Sequence, residues 1–442
     1  MASDPLVPKI LQRLRRTDAA SAHLAEQALD GLLGEGGLAD LTQHELQAYL
    51  WFTVPDGDAP TKVVAALATF LELAEMNRYA GIASSAQTAE ILRTYDERGQ
   101  APGQKAATKA MEASGVVPPD LPELEWGQLM GSAEFESYAR IAATLELAMA
   151  AGELKPGARG WRLTQVRLTR QQLTMPRVEG ALLDRILDER LESWAEAGGQ
   201  ARRTLASSIG QDLRTDRPAP ADVADRMAPM QWLLELAAGR IGEQPGVALT
   251  VSGNLARRVV QEAADRFGWW EFPERPPRAE ADIWRLTELR AMLQRAGVLR
   301  RSARRLVLGT RGRPLLNDPA AQWTVAVNQL LDLGEFDGAA QEAALMLLLQ
   351  AHGMVEMREL VREVAEVLAG SGWRDAGDGA PPDERDVSRA VWGLVQRLQL
   401  WSLVEEGKGP GYSSRLRLSE EGRRAGYAAL RSLALRARMA PD

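Results

Sequence analysis

Two nine-residue segments limit what this 442-residue chain can fold into. Arg305-Leu-Val-Leu-Gly-Thr-Arg-Gly-Arg313 and Arg415-Leu-Arg-Leu-Ser-Glu-Glu-Gly-Arg423 share the pattern Arg-Leu-x-Leu-x-x-x-Gly-Arg. The apolar alternation is that of a half-buried strand, and the glycine admits backbone conformations closed to other residues. Each copy follows the same three features: a helical stripe, a short apolar strand and a polar turn. For the first copy these are Ile283–Ala296, Gly297-Val-Leu299 and Arg300–Arg304. For the second they are Asp386–Leu400, Trp401-Ser-Leu-Val404 and Glu405–Ser414, where Gly407, Gly409 and Gly411 can supply positive φ. One module is therefore expected twice in the second half of the chain.

The rest reads as amphipathic helix. Apolar side chains recur at intervals of three and four over Thr42–Phe52, Thr61–Tyr79, Glu134–Ala151, Val178–Ala197, Leu255–Phe267, Ala339–His352 and Met357–Ala369. A weaker third module is suggested by Leu145–Leu154, a turn at Lys155–Gly160 and a strand over Trp161–Leu168, without the glycine-arginine exit. Proline- and glycine-rich stretches at Thr215–Asp222, Pro273–Pro277 and Gly370–Glu384 mark linkers or long loops. The expected organisation is a helical region over residues 1–125, and a helical region with a degenerate module over 126–215. An arginine-rich module over 216–334 and a last module over 335–442 complete it.

Helix, strand, hairpin, strand and a new helix is the element order of a winged helix. The stretch Arg415–Arg423 is similar to the wing strand and following helix start of bacterial winged helix-turn-helix proteins, with Ser419 as N-cap ahead of Glu420 and Glu421. Leu249-Thr-Val-Ser-Gly-Asn-Leu255, Leu306-Val-Leu and Asp318-Pro-Ala-Ala-Gln-Trp323 resemble a segment of uncharacterised actinobacterial proteins. The resemblance covers roughly the C-terminal half and implies a mainly α fold: a multi-domain helical protein with two or three winged-helix units. It implies no activity, because winged helices bind proteins as well as DNA.

Charge gives the first hint of a partner. The chain carries 53 basic and 60 acidic residues, a net −7, which argues against a protein that coats DNA. Between Leu255 and Pro314, however, fourteen arginines face seven acidic residues. Arg300, Arg301, Arg304, Arg305, Arg311 and Arg313 surround one expected wing, where guanidinium groups could follow a phosphate backbone or enter a minor groove. In the last module, Val387, Val391, Leu394, Val395 and Leu398 form the core stripe of the recognition helix. Arg385, Ser388, Arg389 and Arg397 are left on its outer side. With so few base-reading side chains, weak or architectural contact is expected over sequence-specific recognition. The plainer reading is a solvated basic hairpin balanced by the acidic remainder.

Little in the sequence points to chemistry. No cysteine is present, which removes disulfides, thiolate metal sites and cysteine nucleophiles. His23, His44 and His352 lack a second histidine at helical spacing, and no metal or cofactor is expected. Gly99–Lys105 lacks phosphate-loop spacing, Gly34-Glu-Gly-Gly37 lacks a preceding strand, and Asp56-Gly-Asp58 reads as a turn. No nucleophile elbow is found, and no catalytic residue is nominated. Trp269 and Trp270 could form a platform for bases but fit a core role better, and Trp392 with Trp401 would pack wing against core.

The leading expectation is a non-enzymatic DNA-associated protein, regulatory or architectural. The alternative is a protein-interaction scaffold within a larger complex. A homodimer through the closing helix Ser419–Arg438 is expected from Leu430, Leu433 and Leu435. Met1-Ala2-Ser3-Asp4-Pro5 shows no charged segment leading into an apolar one, and no run approaches a membrane span, so the expected place is the cytoplasm.

Overall fold

The computed structural model describes residues 4–34, 36–241, 246–272, 274–332, 334–375, 377, 379–408 and 414–439. Gly409, Gly411, Pro273, Glu35 and the first three residues, all invoked above, lie outside them. Among the described residues the chain is mainly helical with two small three-stranded antiparallel sheets. It divides into two compact units, Met1–Glu189 with Ala437–Asp442, and Arg190–Arg436. No helix among the described residues is long and apolar enough to cross a membrane.

The first unit contains α1 (Leu6–Thr17), α2 (Ala19–Leu33), α3 (Gln43–Ala48), α4 (Pro60–Leu73), α5 (Asn77–Ala83), α6 (Ala86–Arg98), α7 (Gln100–Ser114), α8 (Ser132–Ala150) and α9 (Trp161–Thr174). The division falls inside α10 (Leu182–Glu196). Asp18 caps α2, and Thr42 with Glu45 forms a reciprocal capping box on α3. Leu46, Leu50, Trp51, Leu67, Phe70 and Leu71 are fully buried in one core, where Trp51 Nε1 donates to Thr88 Oγ1 at 3.0 Å. A smaller core gathers Ile141, Leu145, Leu154, Leu173 and Ile186.

Two expectations for this unit are corrected. Trp161–Leu168 is the start of α9, not a strand. The two-residue alternation there is a short-window coincidence, because Gln165, Leu168, Thr169 and Leu173 are buried at helical spacing. The third module therefore lacks its strand. Thr61–Tyr79 is broken into α4 and α5 by a turn in which Glu75 takes φ +60°.

The second unit takes in the end of α10, then α11 (Gln200–Leu213) and α12 (Val223–Arg226), and runs twice through one element order. The first pass is α13 (Ala228–Ala238), β1 (Val247–Ala248), α14 (Arg257–Phe267), α15 (Trp284–Arg295), β2 (Leu299–Ser302), β3 (Arg305–Leu308) and α16 (Pro319–Asn328). The second is α17 (Glu335–Gln350), β4 (Val355–Glu356), α18 (Met357–Gly370), α19 (Glu384–Leu400), β5 (Val404–Lys408), β6 (Ser414–Leu418) and α20 (Glu420–Ala434). The sheets have matching orders, β1-β3-β2 and β4-β6-β5, with the last strand central in each. One continuous apolar core runs through both repeats.

The repeated nine-residue pattern has a physical cause. The two leucines of each copy put a buried residue on the central strand, Leu306 in one repeat, and Leu416 and Leu418 in the other. The fifth residue donates its backbone N–H to the carbonyl just before the hairpin, Gly309 to Val298 at 2.8 Å and Ser419 to Leu403 at 3.0 Å. The pattern glycine lies against that same carbonyl, so a β-carbon at Gly312 or Gly422 would collide with the Val298 or Leu403 oxygen. Upstream, Gly297 at φ +67° and Ser402 at φ +55° end the preceding helices in left-handed conformation. The next N–H reaches back in both, Val298 to Leu293 O at 2.9 Å and Leu403 to Leu398 O at 2.8 Å, the bonding of a Schellman cap. These caps explain why the strands begin at Leu299 and Val404 and not at Gly297 and Trp401.

The closing helices differ from each other. Ser419 caps α20, accepting from Gly422 N–H, whereas α16 starts later, behind Asp318, which accepts from Ala321 N–H. The leucine side of α20, expected to hold a second copy, is used within the unit. Leu430 is fully buried, and Leu433 and Leu435 are partly covered where α20 packs with α11, α16 and α17.

Candidate nucleic-acid interface

The β2–β3 hairpin projects from the first repeat on a two-residue turn, Ala303-Arg304, between the paired residues Ser302 and Arg305. Ala303 takes φ +51°, a conformation that favours glycine. Beyond Leu299 the β2 strand is wholly exposed, so Arg300 and Arg301 stand in solvent although successive residues face opposite sides of the ribbon. Arg304 is exposed at the turn, and Arg311 and Arg313 are exposed just after β3. Arg300, Arg304, Arg311 and Arg313 have no ion-pair partner among the described residues; Arg301 donates Nε–H to the Ala303 carbonyl at 3.0 Å.

Arg305, nominated with them, has a different task. It is half-buried on the central strand and donates Nη2–H to the Gly246 carbonyl at 2.6 Å, tying the chain just before β1 to the sheet. Arg257 and Arg258, which sequence reasoning did not single out, open α14 as exposed guanidinium groups, also without an ion-pair partner among the described residues. The Thr250–Asn254 turn leading to them touches the hairpin at Gly253, beside the Arg301 guanidinium. Their signal was an adjacent arginine pair at the start of a helical stripe.

A buried polar node fixes this loop. Glu280 Oε2 accepts Leu255 N–H at 2.7 Å, Glu280 Oε1 lies 2.8 Å from Arg290 Nε, and Arg290 Nη1 donates to the Gly253 carbonyl at 2.7 Å. The Glu280–Arg290 pair is close without hydrogen-bond alignment. Burial pushes the Glu280 carboxyl above its usual range, against the Leu255 bond and the Arg290 charge.

The three arginines nominated on α19 separate. Arg385 is exposed in the first turn, with no ion-pair partner among the described residues. Arg389 is exposed but paired with Asp386 at 3.1 Å. Arg397, expected on the outer side, is only 4% exposed. It donates to Gln341 Oε1 at 2.6 Å and lies 3.6 Å from Asp332 Oδ2, and burial pulls its guanidinium below the usual range. The cause is packing: α19 is covered by α17 on one side and by α15 of the first repeat on another. Counted back from the helix caps, Arg397 occupies the position that Met292 fills in α15. Trp392 is 39% exposed, and Trp401, expected on the strand after α19, is buried in the turn that ends the helix.

Contact between α15 and α19 also limits what either helix can read. On α15 only Gln294 and Arg295 are exposed, and Arg295 is held by Glu288 at 2.9 Å. The exposed guanidinium groups of the first repeat that have no ion-pair partner among the described residues thus include those of its hairpin, the turn after β3 and the start of α14, whereas the exposed arginine of α15 is paired.

Residues 226–321 match the family model described as the Y4jL N-terminal domain. That span runs from the end of α12 to the start of α16 and so takes in most of the first repeat. No curated protein and no solved structure matches the chain.

Proposed function

We propose that the two repeats are winged-helix domains, within residues 216–334 and 335–442, and that the protein is a non-enzymatic DNA-associated factor. In this reading the first hairpin is a wing that follows the phosphate backbone. One observation carries it: exposed guanidinium groups of Arg300, Arg301 and Arg304, which have no ion-pair partner among the described residues, crowd one rooted hairpin in a chain of net charge −7. Arg389, paired with Asp386, and Arg417, paired with Glu405, are exposed arginines of the second repeat that are neutralised locally. A cluster left unneutralised suits a polyanion. The mutual packing of α15 and α19 supports backbone contact over base reading.

The test is fluorescence anisotropy with a labelled mixed-sequence duplex at about 50 and about 200 mM salt. Three phosphate contacts predict an affinity loss of roughly fortyfold between those salts, from a slope of about 0.9 per contact. Changing Arg300, Arg301 and Arg304 together to Ala should flatten that dependence. Binding that is unchanged in the variant would reject the wing reading, and so would the absence of binding at low salt.

A second reading, a protein-interaction scaffold, is favoured by the helix faces that the two repeats cover on each other and by the mixed charge of the second wing. It predicts a stoichiometric polypeptide partner whose binding survives the arginine substitutions.

A further inference from the structure

The second repeat holds a half-open groove of about 680 Å³ where α18, α19 and the start of β6 meet. Its apolar floor is Met357, Val361 and Trp392, the last 39% exposed despite its size. Arg358 and Arg385 stand on its rim, both exposed and with no ion-pair partner among the described residues. Both helices begin at the groove, and the first turn of α18 has no side-chain cap, so its backbone N–H groups add to the positive rim.

We propose that this groove binds a short acidic peptide segment in which an aromatic or aliphatic residue lies beside two carboxylates. The apolar residue would fill the floor against Trp392, and the carboxylates would pair with Arg358 and Arg385. Charge complementarity selects the occupant. Two guanidinium groups without ion-pair partners bracket an apolar floor, and the concavity has room for a few side chains. A nucleic-acid track is disfavoured because Glu384 shares the rim and would repel a continuous phosphate backbone, whereas a peptide can set an uncharged residue there. The proposal uses other residues than the wing reading and stands or falls separately from it.

The experiment uses the full chain and a fluorescein-labelled peptide of three Asp-Leu-Glu-Phe repeats. Controls are a peptide of three Lys-Leu-Lys-Phe repeats and a single-stranded DNA oligonucleotide of similar length. The acidic peptide should bind, and Arg358→Ala with Arg385→Ala should weaken it about tenfold. Trp392→Ala should weaken it as well, whereas the Arg300, Arg301 and Arg304 variant should bind it normally. Reversing the rim with Arg358→Glu and Arg385→Glu should transfer preference to the lysine peptide, a gain that a misfolded variant cannot show. Three results would overturn the proposal: no binding of the acidic peptide, equal binding of both peptides, or oligonucleotide binding that depends on Arg358 and Arg385.

Discussion

The two repeats of the second unit share element order, sheet order, the left-handed cap before the hairpin and the hairpin root, and they differ in what they do with charge. In the first hairpin Arg300, Arg301 and Arg304 are exposed and have no ion-pair partner among the described residues. In the second, Arg417 is spent on Glu405 across the strand pair, at 2.7 Å. Inside the helices the order reverses: Arg397 is buried in α19 where the first repeat places Met292. Backbone contacts set by glycine, carbonyl and cap hold the scaffold constant, and side chains on that scaffold have diverged. A shared fold therefore gives no reason to expect a shared partner.

The largest effect should come from the constant part. Gly312→Ala and Gly422→Ala each drive a methyl group into a backbone carbonyl, and each should cost about 3 kcal/mol or prevent folding, read by urea denaturation. If one repeat tolerates the change, the two roots are not equivalent. Next comes Arg397→Ala, which removes a buried guanidinium and its bonds to Gln341 and Asp332 and should cost about 2–4 kcal/mol. Arg397→Met restores the residue of the first repeat and should recover most of that loss. Neither should alter DNA affinity in the folded protein, and a change there would give Arg397 a role that its burial denies.

A smaller effect is pH-dependent and confined to the first repeat. The Glu280 carboxyl is raised from its ordinary 4.5 by burial, so the folded state holds this proton to higher pH than the unfolded chain does. Its contribution favours folding below that ordinary value and is lost as pH rises through the raised one. Stability measured across that window should fall more in the wild type than in Glu280→Gln; parallel profiles would show that the node is solvated. The smallest effect should be a gain. Ser402 holds the left-handed position that glycine takes at residue 297, so Ser402→Gly should stabilise by roughly 0.5–1 kcal/mol.

Much of this architecture is legible in the sequence because its signals are local. The helical stripes, the Ser419 cap and the two hairpins each follow from a few neighbouring residues. What escaped depends on tertiary contact. Trp161–Leu168 shows alternation over eight residues and helical spacing over fourteen, and only burial decides between them. The periodicity of α19 alone places Arg397 opposite the apolar stripe, and its burial follows from α15 and α17 both packing on that helix. Aligning the two repeats from their helix caps would have set Arg397 beside Met292 and flagged it. For the candidate interface, composition located the arginines but did not separate half-buried Arg305, which donates to the Gly246 carbonyl across the sheet, from its exposed neighbours.

The hairpin roots separate what must stay fixed in each ribbon from what can change. Each ribbon is anchored at its base by the Val298 or Leu403 carbonyl, while two residues separate the paired strand ends in the first and five in the second. Anchorage at the base frees the tip to vary in length, since lengthening a loop costs only fractions of a kcal/mol for each few residues. The ribbon tip is thus a natural insertion point, where an epitope or a reporter could be grafted without disturbing the helices beneath.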